Sequence, residues 1–335
     1  MALVTPHALP KRSANKKQML SVRTFGNLTE VSINYSSLEL IQTCPRKAYY
    51  SLKQGLEKDV IAEPLVFGSA VHKALEVWYC APLENRIASS LICEDYQVDP
   101  QTVPPDHTQN CARCLAIDAF RESGEVLSAL AFDDKRSLDN GTAILNAYFD
   151  EYHSDPFVVF SDEKGAYVEK CVGHVIHEEP GLRIIFFGTL DLVLRDLITK
   201  ELFIVDHKTT WALGSEFYNR IHPNFQYTGY VWLVRNALGL DVSRFMVNGI
   251  QVAKAKRGFA RQFTERNDEH FEELRLAVVH NVKKYLEFEQ SENWPQNTPN
   301  PCSMYGGCSF RPLCEAPKEL RGAITEANYV RKDQD

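Results

Sequence analysis

The chain has 335 residues, of which 44% are hydrophobic and 24% are charged, a balance typical of a folded globular protein. It carries 37 basic and 44 acidic residues, and the net charge of −7 argues against a surface covered with phosphate-binding cations, although it allows a local basic groove. No apolar run reaches the ~18 residues of a membrane span, and no signal-peptide pattern is present. We therefore expect a cytoplasmic protein, whose nine cysteines favour metal binding or buried thiols over disulfides.

The first residues are basic, and we expect residues 1–30 to form a flexible arm. An ordered domain should follow from about Val31 to residue 320, with a tail over residues 321–335. Within it, residues from about 80 to 140 are expected to be a helical insertion, because Pro, Asp and Thr cluster near its middle.

Two helices are predicted in the first part of the ordered domain. Ser36-Ser37-Leu38-Glu39 fits a capping box, which predicts a helix that runs toward Cys44. Apolar residues at helical spacing predict a second helix over Pro64–Tyr79, and His72 lies off its apolar stripe.

The centre of the chain changes to strand patterns. Three segments rich in β-branched and aromatic residues are predicted strands, at residues 166–176, 182–194 and 201–208. A helix over 224–237, a strand over 244–253 and a long helix over 266–289 follow. This order predicts an α/β fold with a central mixed sheet flanked by helices.

Two carboxylates and a lysine interrupt the apolar central strands. Asp191 lies in IIFFGTLD, and Asp206 lies two residues before Lys208 in IVDHK. A charge in an apolar strand is costly unless it is paired or bound to metal, and residues two apart project from the same face. If the strands are neighbours, the two carboxylates can converge on one divalent ion. His207 then points to the other face, but its backbone carbonyl could be a further ligand.

An ordered set of motifs resembles the RecB-like branch of the PD-(D/E)XK nuclease superfamily, which implies a restriction-endonuclease-like core. The motifs are GSAVHKALE with His72, YVEK with Glu169, GTLD with Asp191, DHK with Asp206 and Lys208, and QYTGY with Gln226 and Tyr230.

The resemblance implies a role for each of these residues. His72, Asp191, Asp206 and the His207 carbonyl would bind Mg or Mn. Lys208 would orient the attacking water and help to deprotonate it. Gln226 and Tyr230 would position DNA or support Lys208, while Glu169 would be structural as readily as catalytic.

One distant cysteine and a C-terminal trio form a second candidate site, made of Cys44, Cys302, Cys308 and Cys314. Four thiolates fit either a 4Fe–4S cluster or structural zinc. The one-plus-three division is similar to the iron–sulfur subgroup of these nucleases, which includes CRISPR-associated RecB-type exonucleases and helicase-linked nuclease domains. A cluster held by the loop at 301–315 would clasp the N- and C-terminal parts together.

Two further groups have both a functional and an ordinary interpretation. Cys111 and Cys114, with Cys93 and His107 upstream, could bind zinc, but an isolated C-x-x-C is more often incidental. A basic stretch around Phe259 could contact a nucleic-acid backbone or be a solvated loop; it contains Lys254, Lys256, Arg257 and Arg261.

These patterns predict a metal-dependent DNA exonuclease that acts on single strands or duplex ends. A helicase or a recombination or integration protein is a possible partner, and no membrane is expected. The alternative is a non-catalytic DNA-binding or scaffolding subunit of a recombination, repair or spacer-acquisition complex. A zinc-ribbon regulator is a third hypothesis.

Overall fold

The computed structural model describes residues 20–58, 62–95, 111–130, 134–163, 165–254, 257–303 and 307–331. The chain divides into two compact units. We call residues 60–177 and 185–277 the sheet unit, and residues 1–59, 178–184 and 278–335 the cysteine unit. Among the described residues, no helix is both long and apolar enough to cross a membrane.

The described α-helices are α1 (Tyr35–Thr43), α2 (Pro45–Ala48), α3 (Glu63–Cys80), α4 (Leu83–Asp95), α5 (Ala112–Ser123), α6 (Leu127–Leu130), α7 (Leu138–Tyr152), α8 (Ser215–Asn219), α9 (Phe225–Leu238), α10 (Asp268–Ser291), α11 (Asn300–Ser303), α12 (Arg311–Glu315) and α13 (Arg321–Asn328). A π-helical turn at Tyr49–Lys53 follows α2. The described strands are β1 (Leu20–Phe25), β2 (Leu28–Ile33), β3 (Leu56–Lys58), β4 (Phe157–Val159), β5 (Ser161–Asp162), β6 (Gly165–Ala166), β7 (Val168–Glu179), β8 (Leu182–Asp196), β9 (Leu202–Thr210), β10 (Arg244–Gln251), β11 (Phe259–Glu265) and β12 (Tyr329–Arg331).

The sheet unit contains a mixed sheet, which confirms the predicted α/β fold with a central mixed sheet. Strand β8 pairs antiparallel with β9, β9 pairs parallel with β10, and β10 pairs antiparallel with β11. Strands β4 and β7 also pair with β8. The parallel step between β9 and β10 requires a crossover, and α9 lies in that connection.

Helix α3 buries its apolar stripe in the core of the sheet unit. The predicted stripe residues Phe67, Val71, Leu75 and Trp78 are all fully or almost fully buried. They pack with residues of α5, α7, β8, β9 and β10 in one hydrophobic cluster. The expected insertion is helical where it is described, over α4 to α7, while residues 96–110 and 131–133 lie outside the described residues.

The cysteine unit contains a separate hydrophobic cluster. Its buried members are Tyr50, Leu56, Phe310, Leu313 and Tyr329, with Cys308 and Cys314 packed against them. Strand β12, in the segment expected to be a tail, pairs antiparallel with β3.

Two expectations near the N-terminus need correction. Strand structure is already present at Leu20, ahead of the expected start near Val31, because β1 and β2 pair in register from Leu20 with Ile33 to Phe25 with Leu28. The expected boundary at residue 30 therefore falls inside β2, while the arm residues 1–19 lie outside the described residues. Helix α1 is capped by Asn34, whose side chain accepts from the Ser37 amide, rather than by Ser36.

Candidate active site

Strands β8 and β9 bring the predicted carboxylates together. Leu192 is paired with Val205, so the antiparallel register places Asp191 beside Asp206. Asp206 is only 3% exposed. Lys208 projects from the same face of β9 and places its Nζ 2.7 Å from the Asp206 Oδ2. The D-x-K spacing thus forms a close ion pair, as the strand geometry predicts.

His72 reaches this strand pair from helix α3. Its Nδ1 lies 3.2 Å from Asp191 Oδ2, and its Nε2 lies 2.6 Å from the backbone carbonyl oxygen of His207. The His207 amide in turn donates to Asp191 Oδ2 at 3.2 Å. Both backbone groups of His207 therefore face the site, and the role of its carbonyl as a metal ligand stays a prediction.

Glu169 completes a group that could hold a cation. One ligand atom each from His72, Glu169 and Asp191 lies within 4.8 Å of the others. Glu169 has a φ of +45°, which an L-residue adopts only at a cost of about 1–3 kcal/mol. Sequence reasoning left the role of Glu169 open, and the structure brings it to the site.

The donor set of this group fits a hard divalent ion. Two carboxylates and one imidazole suit Mn²⁺, and carboxylates with a backbone carbonyl suit Mg²⁺. Asp206, a predicted ligand, is not part of the three-residue group, and its Oδ2 is held by Lys208.

His72 and Asp191 form an ion pair, and each group shifts the pKa of the other toward its charged form. Burial opposes the charged form of both groups, but their hydrogen bond and mutual attraction outweigh it. The pKa of His72 rises to about 8, and the pKa of Asp191 falls to about 2. At neutral pH and without a metal, the imidazole is therefore mostly protonated beside an ionised carboxylate.

Lys208 is held as a cation. Burial lowers its pKa, but the charge of Asp206 outweighs burial and raises it above its ordinary value. Burial also raises the pKa of Asp206, against the opposing effect of Lys208. A cationic Lys208 donates hydrogen bonds, so it suits the orientation of a water molecule and the stabilisation of phosphoryl oxygens.

Gln226 and Tyr230 share one face of α9, as predicted from their spacing. Gln226 Nε2 donates to the Tyr230 hydroxyl at 3.4 Å. Burial, followed by the charge of Asp206, raises the pKa of Tyr230 to about 12, so the phenol stays neutral. Gly188 permits this arrangement, because a Cβ there would lie 2.7 Å from the Tyr230 ring.

A buried polar network, which sequence reasoning missed, supports the other face of β9. Asn248 Nδ2 donates to His207 Nδ1 and to the Tyr148 hydroxyl, both at 2.7 Å. The Tyr148 hydroxyl lies 2.8 Å from that of Tyr79. Burial lowers the pKa of His207 to about 3, so the ring is neutral and can accept at Nδ1.

Arg261 also belongs to this network, which corrects one interpretation of the basic stretch. Its guanidinium donates to the hydroxyls of Tyr79 and Tyr148 and lies 2.7 Å from Asp155. Arg261 lies in strand β11, where either a solvated loop or a contact with a nucleic-acid backbone was expected. Lys254 pairs with Asp134, and Lys256 lies outside the described residues.

Replacing Asn248 by leucine should lower the free energy of unfolding by about 1–3 kcal/mol. The change leaves the buried His207 Nδ1 and one Tyr148 contact without a donor, which costs their desolvation. Urea titration followed by circular dichroism measures the effect. The matched control is Asn236→Leu, because the exposed Asn236 side chain on α9 donates to the Trp232 carbonyl within the same helix. A loss no larger than that of the control would contradict a structural role for the network.

The four predicted cluster cysteines line one cavity of about 330 Å³ in the cysteine unit. All four are free thiols. Cys44 Sγ accepts from the Asn297 amide, and the Cys302 thiol lies 3.8 Å from the Asn297 carbonyl oxygen. Burial raises the pKa of Cys314, and the neighbouring Cys308 and Cys44 add to that effect.

A zinc site at the second cysteine pair stays a prediction. Cys111 is the buried N-cap of α5, and Cys114 is half-buried on that helix. His107 and the side chain of Cys93 lie outside the described residues.

Comparisons with known proteins give the family. No curated protein matches the sequence. The crystal structure of a putative exonuclease from Eubacterium rectale is similar at a TM-score of 0.39 and 13% identity, over 90% of this chain and 92% of that one. Residues 32–315 match the family model of the PD-(D/E)XK nuclease superfamily. With that match over most of its length, and with the acid and lysine residues arranged as described, this chain belongs to the PD-(D/E)XK nuclease superfamily.

Proposed function

We propose that this protein is a DNA exonuclease that depends on Mg or Mn and belongs to the RecB-like, iron–sulfur branch of its superfamily. The observation that carries the proposal is the convergence of His72, Glu169 and Asp191 beside the Asp206–Lys208 ion pair. Nucleases of this superfamily usually use divalent metals, and the acidic donor set fits one.

The chain's own residues supply positioning and charge. A bound divalent ion would lower the pKa of a water molecule and offset the charge that develops on the phosphoryl oxygens. His72, Glu169, Asp191 and the His207 carbonyl would hold that ion, with Asp206 beside them. Lys208, held as a cation by Asp206, would orient the water and donate to the phosphate. The neutral Tyr230, supported by Gln226, would position the scissile strand.

An exposed aromatic residue close to β9 supports the proposal that the substrate is unpaired DNA. Trp211 follows Lys208 by three positions and is 72% exposed. An exposed indole offers a flat apolar face on which a base can stack, and such stacking requires bases freed from a duplex. We therefore infer that single strands, or frayed duplex ends, enter this site.

We propose a 4Fe–4S cluster, with a structural role, at Cys44, Cys302, Cys308 and Cys314. All four thiols line the same cavity. Structural zinc sites usually pair their cysteines as short C-x-x-C units. Here one distant cysteine joins three that are six positions apart, and this division supports a 4Fe–4S cluster.

Labelled linear single-stranded DNA should be shortened from an end when the purified wild type receives Mg²⁺ or Mn²⁺, and EDTA should stop the reaction. Linear duplex and circular single-stranded DNA are incubated in parallel, and products are separated on a denaturing gel. Cleavage of the circle would identify an endonuclease and contradict the exonuclease assignment. Tight DNA binding with no divalent-dependent cleavage would support the scaffolding alternative.

A further inference from the structure

The cysteine unit contains a second, larger cavity that the proposed chemistry does not use. Its volume is about 950 Å³. Five cationic side chains line it, and these are Arg46, Lys53, Lys318, Arg321 and Arg331.

The lining is far more basic than the chain as a whole. Only two acidic residues, Glu289 and Glu292, line the same cavity, whereas the protein's formal net charge is −7. One of them, Glu289, forms an ion pair with Lys53. The five cations come from three separate segments of the chain, so their convergence is a tertiary feature rather than one charged run.

Two of the arginines are held in place by backbone contacts. Arg46 Nε donates to the Trp294 carbonyl at 2.6 Å, and Arg321 Nε donates to the Ala316 carbonyl at 3.1 Å. Burial raises the pKa of the Tyr50 phenol, and the charges of both guanidinium groups act in the opposite direction. The side chains of Lys318 and Arg331 are exposed and form no ion pair or hydrogen bond with any described residue. A cavity that combines fixed guanidinium forks with exposed cations suits a ligand with several anionic groups.

Aromatic residues decide which polyanion fits. Tyr49 and Trp294 both line the cavity, their ring centroids 5.4 Å apart, and Tyr49 is half-buried. A tyrosine that lines a cationic cavity can stack on a base while the cations contact the phosphates. An acidic peptide without aromatic residues has no ring that would stack there.

We propose that this cavity binds the phosphodiester backbone of single-stranded DNA, as a binding site additional to the catalytic residues. The choice of DNA as the ligand rests on the proposed nuclease function. It assigns to Lys318 and Arg331 direct phosphate contacts, and to Arg46 and Arg321 a fixed anion-binding frame.

The test is the binding of a short fluorescein-labelled oligothymidylate to the full-length protein in EDTA, measured by fluorescence anisotropy at several salt concentrations. The variant is Lys318→Glu with Arg331→Glu, two exposed residues outside the core. The matched control is Arg23→Glu with Lys284→Glu, which makes the same change in net charge at exposed positions that do not line the cavity. Circular dichroism checks that both proteins are folded. If the double variant does not fold, the two single variants replace it.

The cavity variant should bind at least about tenfold more weakly than the control. Its slope of log K against log salt should be shallower by about 1.4, since each lost contact with a single strand accounts for about 0.7. Equal affinities in the variant and the control would overturn the proposal, and so would tight binding of an oligouridylate without binding of the oligothymidylate.

Failure of this inference can be told apart from failure of the nuclease assignment. If the wild type cleaves DNA and the cavity variant binds DNA like the control, only the proposed cavity site is refuted. If the wild type never cleaves DNA but binds it, and only the cavity variant loses binding, the nuclease function is refuted and the DNA-binding site is supported.

Discussion

Lys208→Ala should reduce the rate of DNA cleavage by at least about a hundredfold and leave DNA binding nearly unchanged. The Lys208 ammonium is held by Asp206 as a fixed cation at the carboxylate pair. Its donors are directed by the protein before the reaction begins, and removal of one such preorganised donor commonly costs that much in rate. The alanine substitution removes the cation but none of the predicted metal ligands, so the loss should appear in kcat.

Rates on labelled single-stranded DNA with saturating Mn²⁺ measure this effect, and anisotropy in EDTA measures binding. Lys283→Ala is the matched control, because Lys283 forms an exposed ion pair with Glu179 at 2.8 Å. Asp206→Ala should lose cleavage to a similar extent, since it removes the partner that keeps Lys208 in place. Wild-type rates in either active-site variant would refute the assignment of the site.

Cys302→Ala should remove most of the iron from the anaerobically purified protein, together with its brown colour, and should lower its melting temperature. Cys308 and Cys314 pack against a hydrophobic cluster in the cysteine unit. An iron–sulfur cluster that joins distant segments of the chain forms only in the folded state, so its binding should contribute to the free energy of folding.

Iron and sulfide analysis, visible absorbance and thermal unfolding measure these outcomes. Cys171→Ala is the control, because Cys171 is an exposed thiol on β7. It should keep wild-type iron content and stability. A wild type that contains stoichiometric zinc and no iron, or a Cys302 variant that keeps its iron, would refute the cluster.

Elements with strong periodicity were predictable from the sequence. The apolar stripe of α3 and the β-branched runs of β8 and β9 mark a buried face, and burial is the main determinant of both patterns. The common face of Asp206 and Lys208 follows from the two-residue repeat of a strand in the same way. These patterns do not predict the register of the sheet, because the register depends on which strands pair.

The beginning of the fold was harder to predict. Strand β1 is exposed or half-buried over its whole length, so it lacks the alternation that reveals a strand with one buried face. Asn34 and Ser36 are both good helix caps, and only the backbone shows that Asn34 is the residue used.

By itself the sequence determined the types of chemistry available to this protein, through acids and a lysine placed in apolar strands and cysteines placed in a C-terminal loop. Only the tertiary structure decided which of these groups meet. It brought Glu169 to His72 and Asp191, directed Arg261 into a buried network and gathered five cations around one cavity. The physical reason is that periodicity reports burial within one element, whereas these contacts join residues distant in the chain and depend on how the elements pack.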